Sequence, residues 1–152
     1  MSEAIRAMRE DDKAALYVMW VAAWREVYPD IDFEARQGWF AEHLASLISG
    51  GAHAFVAESS AALVGFMTVN RADNYIDQIA VAPQHRGGGL AARLLAKARE
   101  ISPDRLALFV NKDNARALRF YEREGFARTA EGVNPQSGRA YWEMEWRRAQ
   151  DA

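Results

Sequence analysis

Three consecutive glycines, Gly87, Gly88 and Gly89, are the residues of this sequence with the clearest chemical potential. They follow a strand-like segment that ends at Val81 and precede a helix-like segment that begins at Leu90. Glycine lets the backbone adopt left-handed conformations and approach a ligand without a side chain in the way. The N–H groups of a first helical turn lack partners within the helix, and the helix dipole adds positive potential there. The run is therefore expected to bind phosphate.

Two well-known phosphate-binding patterns do not fit this run. A P-loop requires Lys and then Ser or Thr after its last glycine, whereas Leu90 follows here. A dinucleotide-binding G-x-G-x-x-G loop that starts at Gly87 needs glycine at position 92, which is Ala92. The pattern that remains is Q-x-x-G-x-G, formed by Gln84, Gly87 and Gly89.

A second segment, at residues 114–126, has the pattern N-x-x-A-x-x-F-Y-x-x-x-G-F. With the glycine run it resembles the acetyl-coenzyme A site of the GNAT N-acetyltransferase superfamily, in which the first segment holds the pyrophosphate and the second closes the other side. The resemblance covers about residues 54–127. It implies an enzyme that transfers acetyl from acetyl-coenzyme A to a primary amine, by direct attack within a ternary complex.

The resemblance also implies an α/β (α+β) fold. In the GNAT fold a mixed, mostly antiparallel central sheet has a splayed parallel pair in its middle and helices on both faces. The patterns along the chain agree: hairpins are predicted at 54–69 and 126–146, and further strands at 5–8, 75–81 and 106–110. Helices are predicted after Asp11 and Asp12, after Asp32, from Leu90 and from Asn114. Residues 1–152 are expected to form one domain.

Coenzyme A is a long molecule, and a protein that binds it needs separate contacts for its pyrophosphate and for its pantetheine arm. By resemblance, backbone amides of the glycine loop hold the pyrophosphate, and the strand edge before the loop pairs with the pantetheine arm. The Arg86 side chain would meet phosphate, or be solvated, and the Asn114 side chain would act first as a helix cap. The expected cofactor-binding residues are Ile79, Ala80, Val81, Arg86, Gly87, Gly88, Gly89, Leu90, Ala91, Asn114 and Tyr121.

Two residues are candidates for proton transfer. An alkyl ammonium must lose a proton before attack, and Asp77 lies where some family members place their base; the alternatives are an ion pair with arginine or a purely positioning role. The departing thiolate needs a proton, and Tyr121 lies where the family places its general acid; the alternative is core packing. A backbone N–H near Val81 would stabilise the oxyanion.

The acceptor is less well specified. Trp20, Trp24 and Tyr28 recur every four residues on one predicted helix, and early helices line the acceptor site in this superfamily. Trp24, Tyr28 and Asp77 are therefore expected to contact substrate, although core packing better explains at least two of the three aromatic residues. Some family members that act on protein N-termini carry Glu where this chain has Phe109, which disfavours that substrate.

The composition of the chain argues against several classes of binding partner and site. A net charge of -2 disfavours nucleic acid and anionic membrane, and the absence of cysteine excludes disulfides and thiolate metal sites and is compatible with the cytoplasm. The three histidines, His43, His53 and His85, are dispersed and are expected at the surface without metal. No signal-peptide or membrane-spanning segment is expected. An exposed Trp146, or the hairpin that ends there, could support a homodimer.

The leading function is thus acetylation of a small-molecule amine. Acetylation of a peptide or protein lysine is the second, and a non-catalytic acyl-coenzyme A sensor is an alternative of another class. An ATP-binding module is a third possibility, disfavoured because the P-loop Lys is missing.

Overall fold

The computed structural model describes residues 3–135 and 137–149. No helix within those ranges is both long enough and apolar enough to cross a membrane. Their strands and helices, in chain order, are β1 Ala4–Ala7, α1 Lys13–Val27, α2 Gln37–Ser49, β2 His53–Ser59, β3 Ala62–Val69, β4 Ile79–Val81, α3 Leu90–Ile101, β5 Arg105–Asn111, α4 Ala115–Arg123, β6 Ala127–Val133 and β7 Ala140–Arg147.

The strands form two sheets that meet at one point. One sheet has the order β1-β2-β3-β4 and the other β5-β7-β6, and all their ladders are antiparallel. A parallel bridge between Tyr75 and Ala107 joins the sheets: Ile76 N–H donates to Ala107 O at 2.9 Å and Ala107 N–H to Asn74 O at 2.8 Å. After this bridge β4 and β5 separate. The predicted parallel pair is therefore splayed almost from its start.

Helices cover both faces of the first sheet because side chains alternate along β3. A Cβ at Gly65 would lie 3.1 Å from Leu90 of α3, so this residue leaves room for α3 to pack closely. The next residue, Phe66, faces the opposite side and meets Phe40 of α2 edge-on, with ring centroids 6.0 Å apart. The apolar side chains at i, i+4, i+5 and i+8 of α3, Leu90, Leu94, Leu95 and Ala98, are buried against the sheet, while Ala91, which the same periodicity predicts to be buried, is half-buried.

The strand before the glycine loop is shorter than predicted. It was expected over 75–81, but the ladder with β3 contains only Ile79–Val81. Asn74 has a φ of 60°, and the Asp73 carboxylate accepts the Tyr75 N–H at 3.0 Å, so a turn holds the chain here. The Gln78 N–H is bound by Thr68 Oγ1 at 3.1 Å instead of by a strand carbonyl. Upstream of Ile79 the backbone bonds from Thr68 N–H to Gln78 O and from Asn70 N–H to Tyr75 O remain, but side-chain hydrogen bonds interrupt the continuous ladder.

The second helix also begins later than predicted. Asp32 was expected to cap it, but its carboxylate accepts the Ala35 N–H at 3.1 Å in a separate turn, and α2 begins at Gln37. The predicted closing hairpin is present as β6 and β7. Trp146 on β7 was expected to be exposed, but it is half-buried. The Arg99 guanidinium lies 4.8 Å from the centre of its ring and covers it.

Asp12 joins β1 to α1 instead of capping the helix as predicted. Its carboxylate accepts two hydrogen bonds from the Arg6 guanidinium, both at 2.8 Å, and the Arg9 N–H at 2.6 Å. Arg6 also contacts Glu58 on β2 at 3.2 Å. The Arg6 hydrogen bonds lower the pKa of Asp12 from 3.8 to about 2.

We expect Asp12→Asn to lower the free energy of unfolding by about 2 kcal/mol at pH 7, because Arg6 loses a buried charged partner. Because the folded pKa of Asp12 lies below its unfolded value, the wild type keeps this stabilisation above about pH 4 and loses it as pH falls towards 2. The difference between the proteins in urea unfolding should therefore shrink over that range. The control is Asp11→Asn, whose carboxylate is 84% exposed. An equal loss in both variants would contradict the assignment.

Candidate functional site

A cavity of about 690 Å³ lies where β4 and β5 separate. Its walls come from α1, β4, the glycine loop with the start of α3, β5 and α4. Every predicted cofactor-binding residue except Gly88 lines it. The two segments that the sequence singled out, 87–91 and 114–121, therefore face one another across a single cavity.

The glycine loop presents a run of free backbone donors. Gly87 and Gly89 have φ values of 84° and 86°, in the left-handed region that glycine adopts without strain. Among the described residues, nothing accepts a hydrogen bond from the N–H groups of residues 87–92, and the first bonded amide after them is Arg93 N–H, which donates to Gly89 O at 3.1 Å. These donors and the N-terminus of α3 form an anion-binding surface.

Arg86 uses its side chain within the protein. Its guanidinium donates to the Ala23 carbonyl oxygen at 2.7 Å and contacts Glu26 Oε1 at 2.8 Å, both on α1. The side chain is thus neither solvated nor free for phosphate, the two alternatives that the sequence left open. It anchors the loop to α1.

Two other arginines that the sequence analysis missed line the cavity. Arg116 and Arg123 on α4 have no ion-pair partner among the residues that the structure describes. Their spacing of seven residues places them on one face of α4, and that spacing could have revealed them. They add positive charge opposite the glycine loop.

The inner edge of β4 is open. Antiparallel pairing directs the backbone groups of residues 78, 80 and 82 to β3, as seen in Thr68 N–H to Gln78 O and Ala82 N–H to Val64 O, both at 2.8 Å. By alternation, the N–H and C=O of Ile79 and Val81 point to the cavity. They can bind a ligand that carries amide groups.

Tyr121 is buried in the wall that α4 contributes. Its ring packs against Phe120 and Phe126, with centroids 5.1 and 5.5 Å away. Its hydroxyl has no hydrogen-bond partner among the described residues, and burial raises the pKa of the hydroxyl, so it is a neutral proton donor. Asn114 caps α4 as predicted, accepting the Ala117 N–H at 3.3 Å, and it also lines the cavity.

Asp77 lies in the cavity wall with a partner that the sequence did not indicate. His43 Nε2 on α2 is 2.6 Å from Asp77 Oδ1, and Gln78 Nε2 donates to the same oxygen at 2.9 Å. Trp20 Nε1 donates to Gln78 Oε1 at 3.3 Å and so fixes that amide. His43 was expected to be a surface residue, but it is partly buried and paired with Asp77. The pair can accept a proton at the cavity and pass it towards solvent, since the His43 side chain is 29% exposed.

The three aromatic residues of α1 have different environments. Trp20 stacks on Phe40 at 4.4 Å in the core. The Tyr28 hydroxyl donates to Asp113 at 2.8 Å and accepts from Asn111 at 3.0 Å, and burial raises its pKa to about 12. Tyr28 is a packing residue outside the cavity wall, so the structure does not place it with the predicted substrate contacts. Trp24 lines the cavity.

The other histidines do not suggest a metal centre. His85 pairs with Glu3 at 3.3 Å, while His53 is exposed. Within residues 3–135 and 137–149, no three His, Cys, Asp or Glu side chains are grouped so as to hold a metal ion.

Comparison with known proteins gives a consistent picture. The family model described as acetyltransferase (GNAT) family matches residues 13–126. Similar solved structures include the PaiA N-acetyltransferase of Thermoplasma acidophilum in complex with coenzyme A, which is 18% identical with a TM-score of 0.78 over 97% of this chain and 100% of that one. YncA of Salmonella typhimurium, solved with its cofactor acetyl-CoA, is 20% identical with a TM-score of 0.69 over 100% and 97%.

A chimera of the spermidine N-acetyltransferase SpeG from Vibrio cholerae and hSSAT is 21% identical, with a TM-score of 0.68 over 97% of this chain and 96% of that one. No curated protein matches the sequence. At these identities the structures establish the fold, and the predicted fold class is confirmed.

Proposed function

The chain belongs to the acetyltransferase (GNAT) family, and on that premise we propose that it transfers acetyl from acetyl-coenzyme A to a primary amine of a small molecule. The observation that carries the proposal is the run of unpartnered amides at 87–92 that opens into the same cavity as Tyr121 and Asp77. Such a run of amides can bind a diphosphate group. Acetyl-coenzyme A, the thioester carrier that an acetyltransferase needs, contains one.

The chain offers two further contacts to this carrier. Arg116 and Arg123 would neutralise phosphate charge from the α4 side. The backbone of Ile79 and Val81 would pair with the amides of the pantetheine arm, as an added strand pairs with a sheet edge. Acetyl-coenzyme A supplies an electrophilic thioester carbonyl, and the Val81 N–H is the candidate donor to the oxyanion that forms when the amine attacks.

Proton transfer is assigned to two groups. Asp77 takes the proton of the acceptor ammonium, and His43 holds the Asp77 carboxylate and receives the proton on the solvent side. Tyr121 gives its proton to the leaving thiolate, since its hydroxyl is neutral, is free of internal hydrogen bonds and lines the cavity. The amine nitrogen forms a bond to the acetyl carbon, and the bond from that carbon to sulfur breaks. The second proton of the nitrogen returns to Tyr121 through solvent, so a neutral amide and a protonated thiol leave and Tyr121 is restored.

The test is calorimetry with coenzyme A, followed by a panel of amines with acetyl-coenzyme A in which release of free thiol is followed. Binding together with thiol release from small amines supports the proposal. Binding without turnover of any amine or lysine peptide would indicate the sensor alternative, and preferential turnover of lysine peptides would indicate the protein substrate. Absence of binding to folded protein would refute the proposal.

Gly89→Ala should weaken coenzyme A binding about tenfold, because a left-handed alanine costs roughly 1–2 kcal/mol and the free loop can relax away from the binding conformation. A Cβ there meets nothing within 4 Å, so the effect is conformational rather than steric. The matched control is Gly51→Ala, which has a φ of 95° and equally open surroundings outside the cavity. Calorimetry should show normal binding for Gly51→Ala. Unchanged affinity in Gly89→Ala would count against the loop as the phosphate grip.

A further inference from the structure

Three aromatic rings form a continuous wall beside the cavity. Tyr75 meets Phe109 edge-on at 5.4 Å, and Phe109 stacks on Tyr141 at 4.6 Å. Phe109 is 48% exposed although it lies in the middle of β5. We call Tyr75, Phe109 and Tyr141 the aromatic wall.

Two carboxylates face this wall without cationic partners. Asp73 and Glu143 line a second cavity, of about 300 Å³, together with Tyr75, Ala107 and Phe109. Most Asp and Glu side chains of the described residues have a Lys, Arg or His partner, but neither of these two does. Arg105, whose guanidinium reaches the Asp73 carbonyl oxygen at 3.4 Å, is paired with Glu145 at 3.2 Å. The second cavity is therefore negatively charged.

The Tyr75 hydroxyl lies in the negative electrostatic potential of these carboxylates. Burial raises the pKa of its hydroxyl, and the charges of Asp77, Asp73 and Glu143 raise it further. All three carboxylates are thus close enough to Tyr75 to act on it. A cation bound here would offset the negative charge of these carboxylates, because aromatic faces and carboxylates both attract positive charge.

The two cavities are neighbours. Phe109 lines both of them, and Asp77 lines the larger one. A nitrogen at Asp77 and a second nitrogen at the aromatic wall could therefore belong to one short molecule.

We propose that the acceptor is a small alkyl amine with a second cationic nitrogen, which Asp73, Glu143 and the aromatic wall bind while the reacting amine lies at Asp77. This inference rests on the proposed acetyl transfer. It adds the substrate class: a diamine or longer polyamine rather than a neutral or anionic amine.

The experiment measures binding to the protein saturated with coenzyme A, which cannot turn over. The probes are 1,4-diaminobutane and 1,5-diaminopentane, each with the monoamine of equal chain length, 1-aminobutane and 1-aminopentane. At least one diamine should bind about tenfold or more tightly than its monoamine, since its second nitrogen gains a partly desolvated contact with an aromatic face and two carboxylates. The double variant Asp73→Asn/Glu143→Gln should remove this preference, and Phe109→Leu should reduce it.

The Asn substitution keeps the oxygen that accepts the Tyr75 N–H, so the turn is preserved. Glu100→Gln, which removes one negative charge from exposed α3 surface outside both cavities, should keep the full preference. Equal affinities for diamines and monoamines, or a preference that survives the double variant, would overturn the inference. Thiol release separates the two claims. Equal turnover of both amine types refutes the second-cation site alone, whereas selective diamine binding without any turnover supports that site and refutes acetyl transfer.

Discussion

Tyr121→Phe is expected to lower kcat for acetyl transfer by about 100-fold or more, while coenzyme A affinity changes less than about twofold. The thiolate would have to leave without a positioned proton donor. The ring packs against Phe120 and Phe126, and Phe keeps both contacts. Because the hydroxyl has no internal hydrogen-bond partner, the substitution leaves no buried polar group unpaired. Steady-state thiol release and calorimetry would measure the two effects.

A matched control removes a hydroxyl elsewhere. Tyr17 on α1 packs edge-on against Phe40 at 5.7 Å and lines neither cavity. Tyr17→Phe should keep kcat within about twofold, since it touches neither ligand nor loop. If Tyr121→Phe is as active as this control, Tyr121 is a packing residue and another group protonates the thiolate.

Asp77→Asn is expected to lower kcat/KM by about 100-fold at pH 7 and to flatten the acidic limb of the pH profile. Asn keeps the size of the side chain but cannot take a proton from the ammonium. The measurement is kcat/KM as a function of pH for the two proteins, in which a carboxylate that acts as the base contributes to the acidic limb of the wild type only.

A substitution at His43 distinguishes a proton relay through this residue from a purely positioning role. His43→Gln can still donate a hydrogen bond to Asp77 but cannot carry a proton, so we expect a smaller loss, of about tenfold in kcat, with KM nearly unchanged. The Asp77→Asn variant also loses one negative charge, and Asp104→Asn, at a carboxylate that is 77% exposed, is its control for that loss.

An acidic limb that persists unchanged in Asp77→Asn would show that Asp77 is not the base.

Local chemistry explains which parts of the site the sequence could predict. The glycine loop depends on consecutive residues, so its left-handed glycines and the start of α3 at Leu90 can be inferred from residue types alone. The cap of α4 by Asn114 and the turn at Gly125, with a φ of 94°, are equally local. The family resemblance then placed these segments in one site.

Tertiary contacts explain what was missed. The His43–Asp77 pair joins residues 34 positions apart, on a helix and a loop, and no spacing rule connects them. The burial of the Arg86 guanidinium against Ala23 and Glu26 depends on how α1 crosses the loop. The boundaries of β4 and α2 shifted because the Thr68 hydroxyl and the Asp32 carboxylate bind backbone N–H groups locally, which outweighs strand and helix propensity.

The separation of β4 from β5 has a consequence for self-association. Unpaired strand edges usually invite a neighbouring protein to add a strand, and proteins protect such edges to avoid aggregation. Here the open edge at Ile79 and Val81 lies at the bottom of a cavity walled by α1, α3 and α4. A thin linear ligand can reach this edge, whereas another folded protein is kept away by the helices. The fold can thus keep this sheet edge available to a small ligand while the same edge stays closed to strand addition by another folded protein.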